Sequence, residues 1–258
     1  MFGDAQAYER FMGRWSARLA PVFLDAVGMP EPRRVVDVGS GTGNLSRAVA
    51  ERWPSCEVVG VDPSTAFVTA ARDRAADLGR RVRFEAGRAD DLPLADGSVD
   101  AALALLVLNF VPDADAAVTQ MARVTRPGGV LAAAVWDYGG RMGMLRTLWD
   151  AAGRLDPSVA RRDEATMPLG RPGGLTDLWE RSGLSGVEGG LLEVSTHFTD
   201  FDDYWQPFLE GQGPAGVYVR GLTEDRRAAL RSELVSTVGT GAFDLSATAW
   251  WVRGTVRD

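Results

Sequence analysis

Apolar positions along this chain change their spacing several times, and each change marks an element. Tyr8, Phe11, Met12, Trp15 and Leu19 fall at helical intervals and predict an amphipathic first helix, which Pro30 and Pro32 bring to an end. From there to Trp136, short apolar runs alternate with helical patterns. Runs at 33–38, 57–61, 82–86, 99–106 and 130–136 predict five buried strands. Helices are predicted from Leu45 to about Arg52, from Ser64 or Thr65 to about Leu78 with Gly79 as the stop, and from Asp113 to about Thr125. The run Arg126-Pro127-Gly128-Gly129 predicts a turn into the fifth strand. Strands that alternate with helices imply right-handed crossovers and a parallel sheet covered on both faces.

Beyond Trp136 the pattern loosens. Met142, Leu145, Trp149 and Ala152 mark another helix, followed by a Gly/Pro-rich stretch through Gly174. Leu192, Val194, Thr196 and Phe198 then alternate with Glu193, Ser195 and His197, and Phe243, Leu245, Ala247 and Ala249 alternate with Asp244, Ser246 and Thr248. Two mutually antiparallel strands are predicted there, with a helical excursion over 199–238 between them.

Composition narrows the function classes. An apolar content of 45% with 24% charged residues suits a globular chain of 258 residues. Twenty-eight basic residues against 35 acidic ones leave a net charge of −7 and no basic run, which argues against nucleic acid or an anionic membrane as partner. Cys56 is the single cysteine and pairs with nothing in the chain, as in a reducing compartment. The N-terminus lacks a basic-then-apolar leader pattern, and the apolar stretch near 101–111 falls short of the roughly 20 residues of a membrane helix. A cytoplasmic protein is expected.

The sharpest chemical signal is VVDVGSGTGNLSRAVA, residues 35–50. Gly39, Gly41 and Gly43 lie between a buried strand and a helix, where glycine lets the backbone turn tightly and a ligand approach it. The following helix presents free N–H groups and a positive dipole end. A ligand-free turn and a dinucleotide site are the alternatives. The G-x-G-x-G spacing differs from the dinucleotide G-x-G-x-x-G. Asp37 would repel a pyrophosphate and welcome an ammonium group. Nineteen positions after Gly43, Asp62 ends the second strand, where a carboxylate can accept from both hydroxyls of a ribose; otherwise it is a helix cap or a solvated acid. GRADDLP, residues 87–93, can set Ala89 and Asp90 beside a purine, with Asp90 accepting from an exocyclic amine.

Four segments, VDVGSGTGNL, GVDPS, GRADDLPLADGSVDAALALLVLNFVPD and MARVTRPGGVL, occur in the order and at the spacing of class I (Rossmann-like) S-adenosylmethionine (SAM)-dependent methyltransferases. The chain resembles these, particularly the ubiquinone- and menaquinone-pathway type, from about Tyr8 to Trp136. The resemblance implies an α/β fold with a seven-stranded, mostly parallel sheet of order 3-2-1-4-5-7-6, strand 7 antiparallel, and helices on both faces. It also implies one domain over 1–258, with small helical cap elements from 1–28, 138–185 and 199–240. SAM would be the cofactor and S-adenosylhomocysteine (SAH) the product. Gly39, Ser40 and Gly41 would line the methionyl portion, and Asp37 would hold that loop and the amine. Asp62, with Pro63 beside it, would take the ribose; Ala89 and Asp90 would meet the adenine. The Leu105 carbonyl would face the methionyl amine, and Asn109 would lie near the reactive methyl. Tyr8 and Arg14, on a helix folded over the cofactor, are candidates for the SAM carboxylate, with a solvated Arg14 as the alternative. Two departures stand out: Arg88 where the family often has Asp, and Asn109-Phe110 where it often has His-His, which removes a candidate base.

On the acceptor side, Trp136, Asp137 and Tyr138 close the fifth strand at the rim where open α/β sheets bind ligands. Phe201, Tyr204, Trp205 and Phe208 form a second aromatic group, read mainly as docking with one or two members in the pocket. Asn109, Asp137, Tyr138 and His197 are the weak catalytic candidates, His197 being more readily a solvated or structural residue. No metal-ligand cluster stands out. The Leu-Asn-Phe-Val-Pro segment at 108–112 replaces the Asn-Pro-Pro-aromatic loop of the enzymes that methylate DNA amines. A small-molecule acceptor and a monomer or homodimer are therefore expected. A non-catalytic SAM-fold binding protein and a nucleotide-dependent oxidoreductase are the competing functions.

Overall fold

Alternation along each central strand sends neighbouring side chains into two separate cores, one on either face of the sheet. In β1 (Arg34–Val38), Val35 joins one core while Val36 and Val38 join the other. In β4 (Val99–Leu105), Leu103 points to the first core and Ala102 and Ala104 to the second; β5 (Thr125–Trp136) divides Ala132, Ala134 and Trp136 from Leu131, Ala133 and Val135. With β2 (Glu57–Asp62), β3 (Val82–Ala86), β6 (Ser185–Phe198) and β7 (Phe243–Thr255) they form a seven-stranded sheet of order β3-β2-β1-β4-β5-β7-β6. β1 to β5 pair in parallel, and β7 runs antiparallel to both β5 and β6. The computed structural model describes residues 4–257, so residues 1–3 of the expected 1–28 cap segment, and Asp258, lie outside the described residues.

The first core is roofed by α2 (Arg14–Val27), α3 (Asn44–Arg52), α4 (Thr65–Arg74) and α6 (Gly143–Leu155). It is extended by α8 (Phe201–Leu209), α9 (Gly213–Arg220) and α10 (Glu224–Val238), the three helices of the excursion between β6 and β7. The second core is covered by α5 (Ala114–Val124) and α7 (Gly174–Arg181), which contribute Val118, Met121, Leu178 and Trp179. Side chains of this size each gain about 1.5–3 kcal/mol on burial. No helix of the described residues is long and apolar enough to cross a membrane.

Several boundaries differ from the sequence reading, each for a local reason. The first helix is interrupted: α1 (Ala5–Tyr8) passes through a π-helical turn, Glu9–Gly13, before α2. The wider turn holds an extra residue and rotates everything after it by about 100° about the axis. The helix after Ser64 stops at Arg74, and a 3-10 segment with left-handed Gly79 covers the rest. Arg126 to Gly129 belong to β5 itself, because Thr125 already pairs with Val99 across a bulge. β4 ends at Leu105, since Leu106 adopts a left-handed φ of 65°, rare for a residue with a branched side chain. β6 starts seven residues before Leu192, at Ser185, through a glycine-rich stretch.

Candidate functional site

A cavity of about 290 Å³ lies where the carboxyl ends of β1 to β5 meet the N-terminal segment. The glycine turn after β1 forms its floor. Gly39, φ +70°, donates its N–H to the Val61 carbonyl at 2.8 Å, and an added Cβ would stand 2.3 Å from the Val107 side chain. The β4 loop thus packs directly onto the glycine turn, and only glycine fits there. Gly41, φ +53°, is different: nothing lies within 4 Å of the place a Cβ would take, so its exposed backbone is available to a ligand.

Two carboxylates flank this turn. Asp62 is buried at the end of β2; its Oδ2 accepts from Gly41 N (2.9 Å) and its Oδ1 from Ser64 N (2.8 Å). Each oxygen keeps a second lone pair. Burial raises its pKa, against the pull of those two N–H groups. Asp37 is fully buried on β1 and accepts from the Ser46 hydroxyl at 2.6 Å. Burial pushes its carboxyl up to about 7; the Ser46 bonds oppose the rise and the charge of Asp62 adds to it. An adjoining pocket, lined by Tyr8, Ser16, Asp37, Ser40, Thr42 and Asn44 among others, shares Gly39, Gly41 and Leu105 with the main cavity. There the buried Ser40 hydroxyl has no hydrogen-bond partner.

The structure brings most of the sequence-predicted residues together. Tyr8, Gly39, Gly41, Asp62, Pro63, Ala89, Asp90, Leu105 and Tyr138 line the main cavity, and Asp37 and Ser40 line its neighbour. Tyr8 borders both and packs against Phe67 with ring centroids 5.2 Å apart. Burial, then the charges of Glu9, Asp62 and Asp37, raise the Tyr8 pKa, so the phenol stays protonated. The departure after the third strand, Arg88, engages the adenine candidate beside it. Arg88 grips Asp90 through two bonds, Nε to Oδ1 at 2.7 Å and Nη2 to Oδ2 at 2.5 Å, and holds its carboxyl below the usual range.

Four candidates are placed elsewhere. Arg14 lines neither pocket: it forms a two-pronged pair with Asp203 of α8 (2.7 and 3.3 Å) and lies 5.0 Å over the Phe198 ring. The π-helical turn accounts for this, because the rotation it introduces turns Arg14 toward α8 and leaves Glu9 facing the glycine turn. Asn109 does not face the cavity; its Oδ1 accepts from Leu169 N at 3.2 Å and holds the cap loop. Asp137 accepts from Arg141 N and the Thr248 hydroxyl and closes a turn. His197 is exposed, 3.1 Å from Asp244 across the β6–β7 pair, far along the sheet edge. None of Phe201, Tyr204, Trp205 and Phe208 lines the cavity; all four dock the excursion in the core.

Glu9 is the residue that sequence reasoning missed. Its carboxylate accepts from the Thr42 hydroxyl and from Asn44 Nδ2 (3.2 Å) and pairs with Arg74 at 2.9 Å. An acid at the start of α3 suits the positive end of that helix. Gly13 makes room for it, since a Cβ there would stand 2.5 Å from the Glu9 carboxylate. The N-terminal segment is thereby tied to the glycine turn with Tyr8 over the cavity. No sequence signal marks a π-helical turn in advance.

Comparison with known proteins points to methyltransferases. Residues 35–129 match the family described as a methyltransferase domain. An uncharacterized methyltransferase of Mycobacterium tuberculosis is 39% identical over 169 residues, which cover 65% of this chain and 64% of that protein. An uncharacterized protein of the same organism is 32% identical over 181 residues, covering 69% of this chain and 64% of its own length. The chain thus spans just under two thirds of the length of each of these two relatives. Among solved structures, a Haemonchus contortus phosphoethanolamine N-methyltransferase in complex with phosphomonomethylethanolamine and SAH has the same fold. Its TM-score is 0.59 at 16% identity, covering 98% of this chain and 57% of that one.

Proposed function

Since the chain carries a methyltransferase domain of the class I, SAM-dependent kind, we propose that it transfers the methyl group of SAM to a small-molecule acceptor. The observation that carries this reading is the glycine turn. The left-handed Gly41, open where a side chain would be, sits beside the unpartnered Ser40 hydroxyl and between two buried carboxylates. That set fits an amino-acid tail with a cationic amine: Ser40 and the turn would hold the tail, and Asp37 would face the amine. Asp62 would take the ribose hydroxyls on its free lone pairs. Pro63, Ala89 and the Arg88-tethered Asp90 would border the purine. A pyrophosphate at the turn would meet two buried acids, while the nearby Arg74 is already engaged by Glu9 and the Thr42 carbonyl, which disfavours a dinucleotide.

Bound SAM supplies a methyl carbon on a positively charged sulfur, a good leaving group. The chain's own part is alignment and exclusion of water, and alignment alone can supply about 7–11 kcal/mol of such a barrier. Leu106, Phe110, Val111, Trp136 and Tyr138 wall the far side of the cavity with apolar surface. No carboxylate or histidine stands among them, so the reading is one of proximity and orientation without a base from the protein. The net charge of −7 favours a small molecule over nucleic acid, as does a site enclosed by the N-terminal segment.

Calorimetric titration tests the reading. SAH should give a saturable heat and NADPH none. Saturable NADPH binding with no heat from SAH would replace it with the oxidoreductase assignment.

A further inference from the structure

Among the described residues, Leu106 is the one non-glycine position with a left-handed φ, and it stands where β4 opens into the cavity. Its effect on the chain is visible in the packing. Leu105 and Leu106 both join the first core, whereas a continuing strand would send Leu106 to the second core, where Ala104 points. Leu105, Leu106 and Val107 consequently line the cavity in succession. The left-handed residue is fixed on both sides. Before it the strand is still paired: Leu105 stands opposite Ala134, and the Leu106 N–H donates to the Ala134 carbonyl at 2.7 Å. After it, Val107 fills the space over Gly39 and leads into a 3-10 turn, Leu108–Phe110, whose Phe110 N–H returns to the Val107 carbonyl at 2.8 Å.

A residue with a branched side chain is strained in this conformation, and such strain persists only where the surroundings over-determine it. Resting on the methyl-transfer reading, we infer that Leu106 is a positioning residue for the methyl donor and acts through its backbone: the left-handed turn swings Val107 onto Gly39 and holds the glycine turn in the form that receives the amino-acid tail. An extended Leu106 would continue the strand and carry Val107 away from Gly39. Gly39 would then lose the side chain packed against it, and the neighbouring Gly41 has nothing within 4 Å of its missing Cβ to take over that support. Leu105, which lines both pockets, would shift with the loop. The Leu106 side chain itself, 8% exposed, closes apolar wall, a task that does not require a left-handed backbone.

A backbone role and a packing role predict opposite orders of SAH affinity among variants, read by calorimetry at low temperature on proteins whose folding is verified by circular dichroism. Glycine and asparagine tolerate the left-handed region, and valine does not. The expected result is SAH affinity within ~5-fold of the wild type for Leu106→Gly and Leu106→Asn, and at least ~10-fold weaker for Leu106→Val, although valine keeps the wall apolar. Leu106→Ala gives a comparison that does not depend on the valine variant folding. It should bind SAH ~3-fold or more weakly than Leu106→Gly, because alanine is strained in the left-handed region and glycine is not. A packing role reverses both orders, with Leu106→Val nearest the wild type and Leu106→Ala at least as tight as Leu106→Gly. That result, or equal affinities throughout, would overturn the inference. If the wild type itself binds no SAH, the methyl-transfer reading falls first; if it binds SAH and the variants rank by apolar size, only the role of Leu106 falls.

Discussion

The two halves of the cavity are built in different ways. The half at the ends of β1, β2 and β3 is assembled from backbone: the Gly39 and Ser40 N–H groups on the Val61 carbonyl, and the Gly41 and Ser64 N–H groups on Asp62. These contacts hold the turn in place before any ligand arrives. The half at the ends of β4 and β5 is assembled from side chains: Val107 packed on Gly39, the left-handed Leu106, and the rings of Trp136 and Tyr138. A backbone cradle serves one fixed ligand, whereas a wall of side chains can be altered residue by residue without disturbing the strands beneath. The comparison teaches where specificity can change: the donor half by abolishing it, the acceptor half by re-lining it.

The largest expected effect breaks the contact between the halves. Gly39→Ala places a methyl group against Val107 and forces a left-handed alanine. It should cost about 2–4 kcal/mol of stability by denaturant titration and remove measurable SAH binding. A variant with full stability and affinity would show that the close packing at Gly39 is irrelevant. Next, Asp62→Ala removes the acceptor of two backbone N–H groups as well as the ribose partner. SAH affinity should fall ~10-fold or more in calorimetry, while binding in the acceptor half changes little once SAH is saturating.

A comparable effect is expected from pH. Asp37 titrates at about 7, and only its ionised form attracts an ammonium group, so SAH affinity should rise about tenfold between pH 6 and pH 8; in Asp37→Asn the profile should be flat. The sign is fixed by the raised carboxyl. Its ionised form is the one disfavoured by burial, so stability of the ligand-free protein should decline as pH climbs from the ordinary carboxylate range through 7, and bound SAH should oppose the decline. The smallest effect sharpens the comparison. Arg14→Ala loses a partly exposed pair with Asp203 and should cost about 1 kcal/mol of stability with SAH affinity changed less than twofold. A loss of SAH affinity as large as that of Asp62→Ala would return Arg14 to the site.

What was legible in the sequence follows the same division. Runs such as VVDV and AALALL declare buried parallel strands, because a strand covered on both faces needs apolar residues in succession. The glycine turn and Asp62 were legible because their spacing is set by backbone geometry. Arg14 was misplaced because one π-helical turn changes the face of every later residue, and periodicity over a dozen residues does not reveal it. The start of β6 lay outside the alternating run at 192–198, because Gly189 and Gly190 carry no side chain to continue that pattern. A Cβ on Gly189 would stand 2.6 Å from the Trp251 carbonyl, and one on Gly190 would stand 3.2 Å from the Trp251 indole nitrogen. The partnership of Arg88 with Asp90, and the release of Asn109 to the cap loop, depend on which side chain wins a shared neighbour, which residue types alone do not decide.

A crystal structure of the protein with SAH bound tests the central claim most directly. The account predicts ribose hydroxyls on both oxygens of Asp62, the amino-acid tail at Ser40 and Gly41 with its amine toward Asp37, and the sulfur turned to Trp136 and Tyr138. Ligand density that leaves Asp62 unengaged, or that sets the purine against Tyr138 and the tail against Arg88, would contradict it.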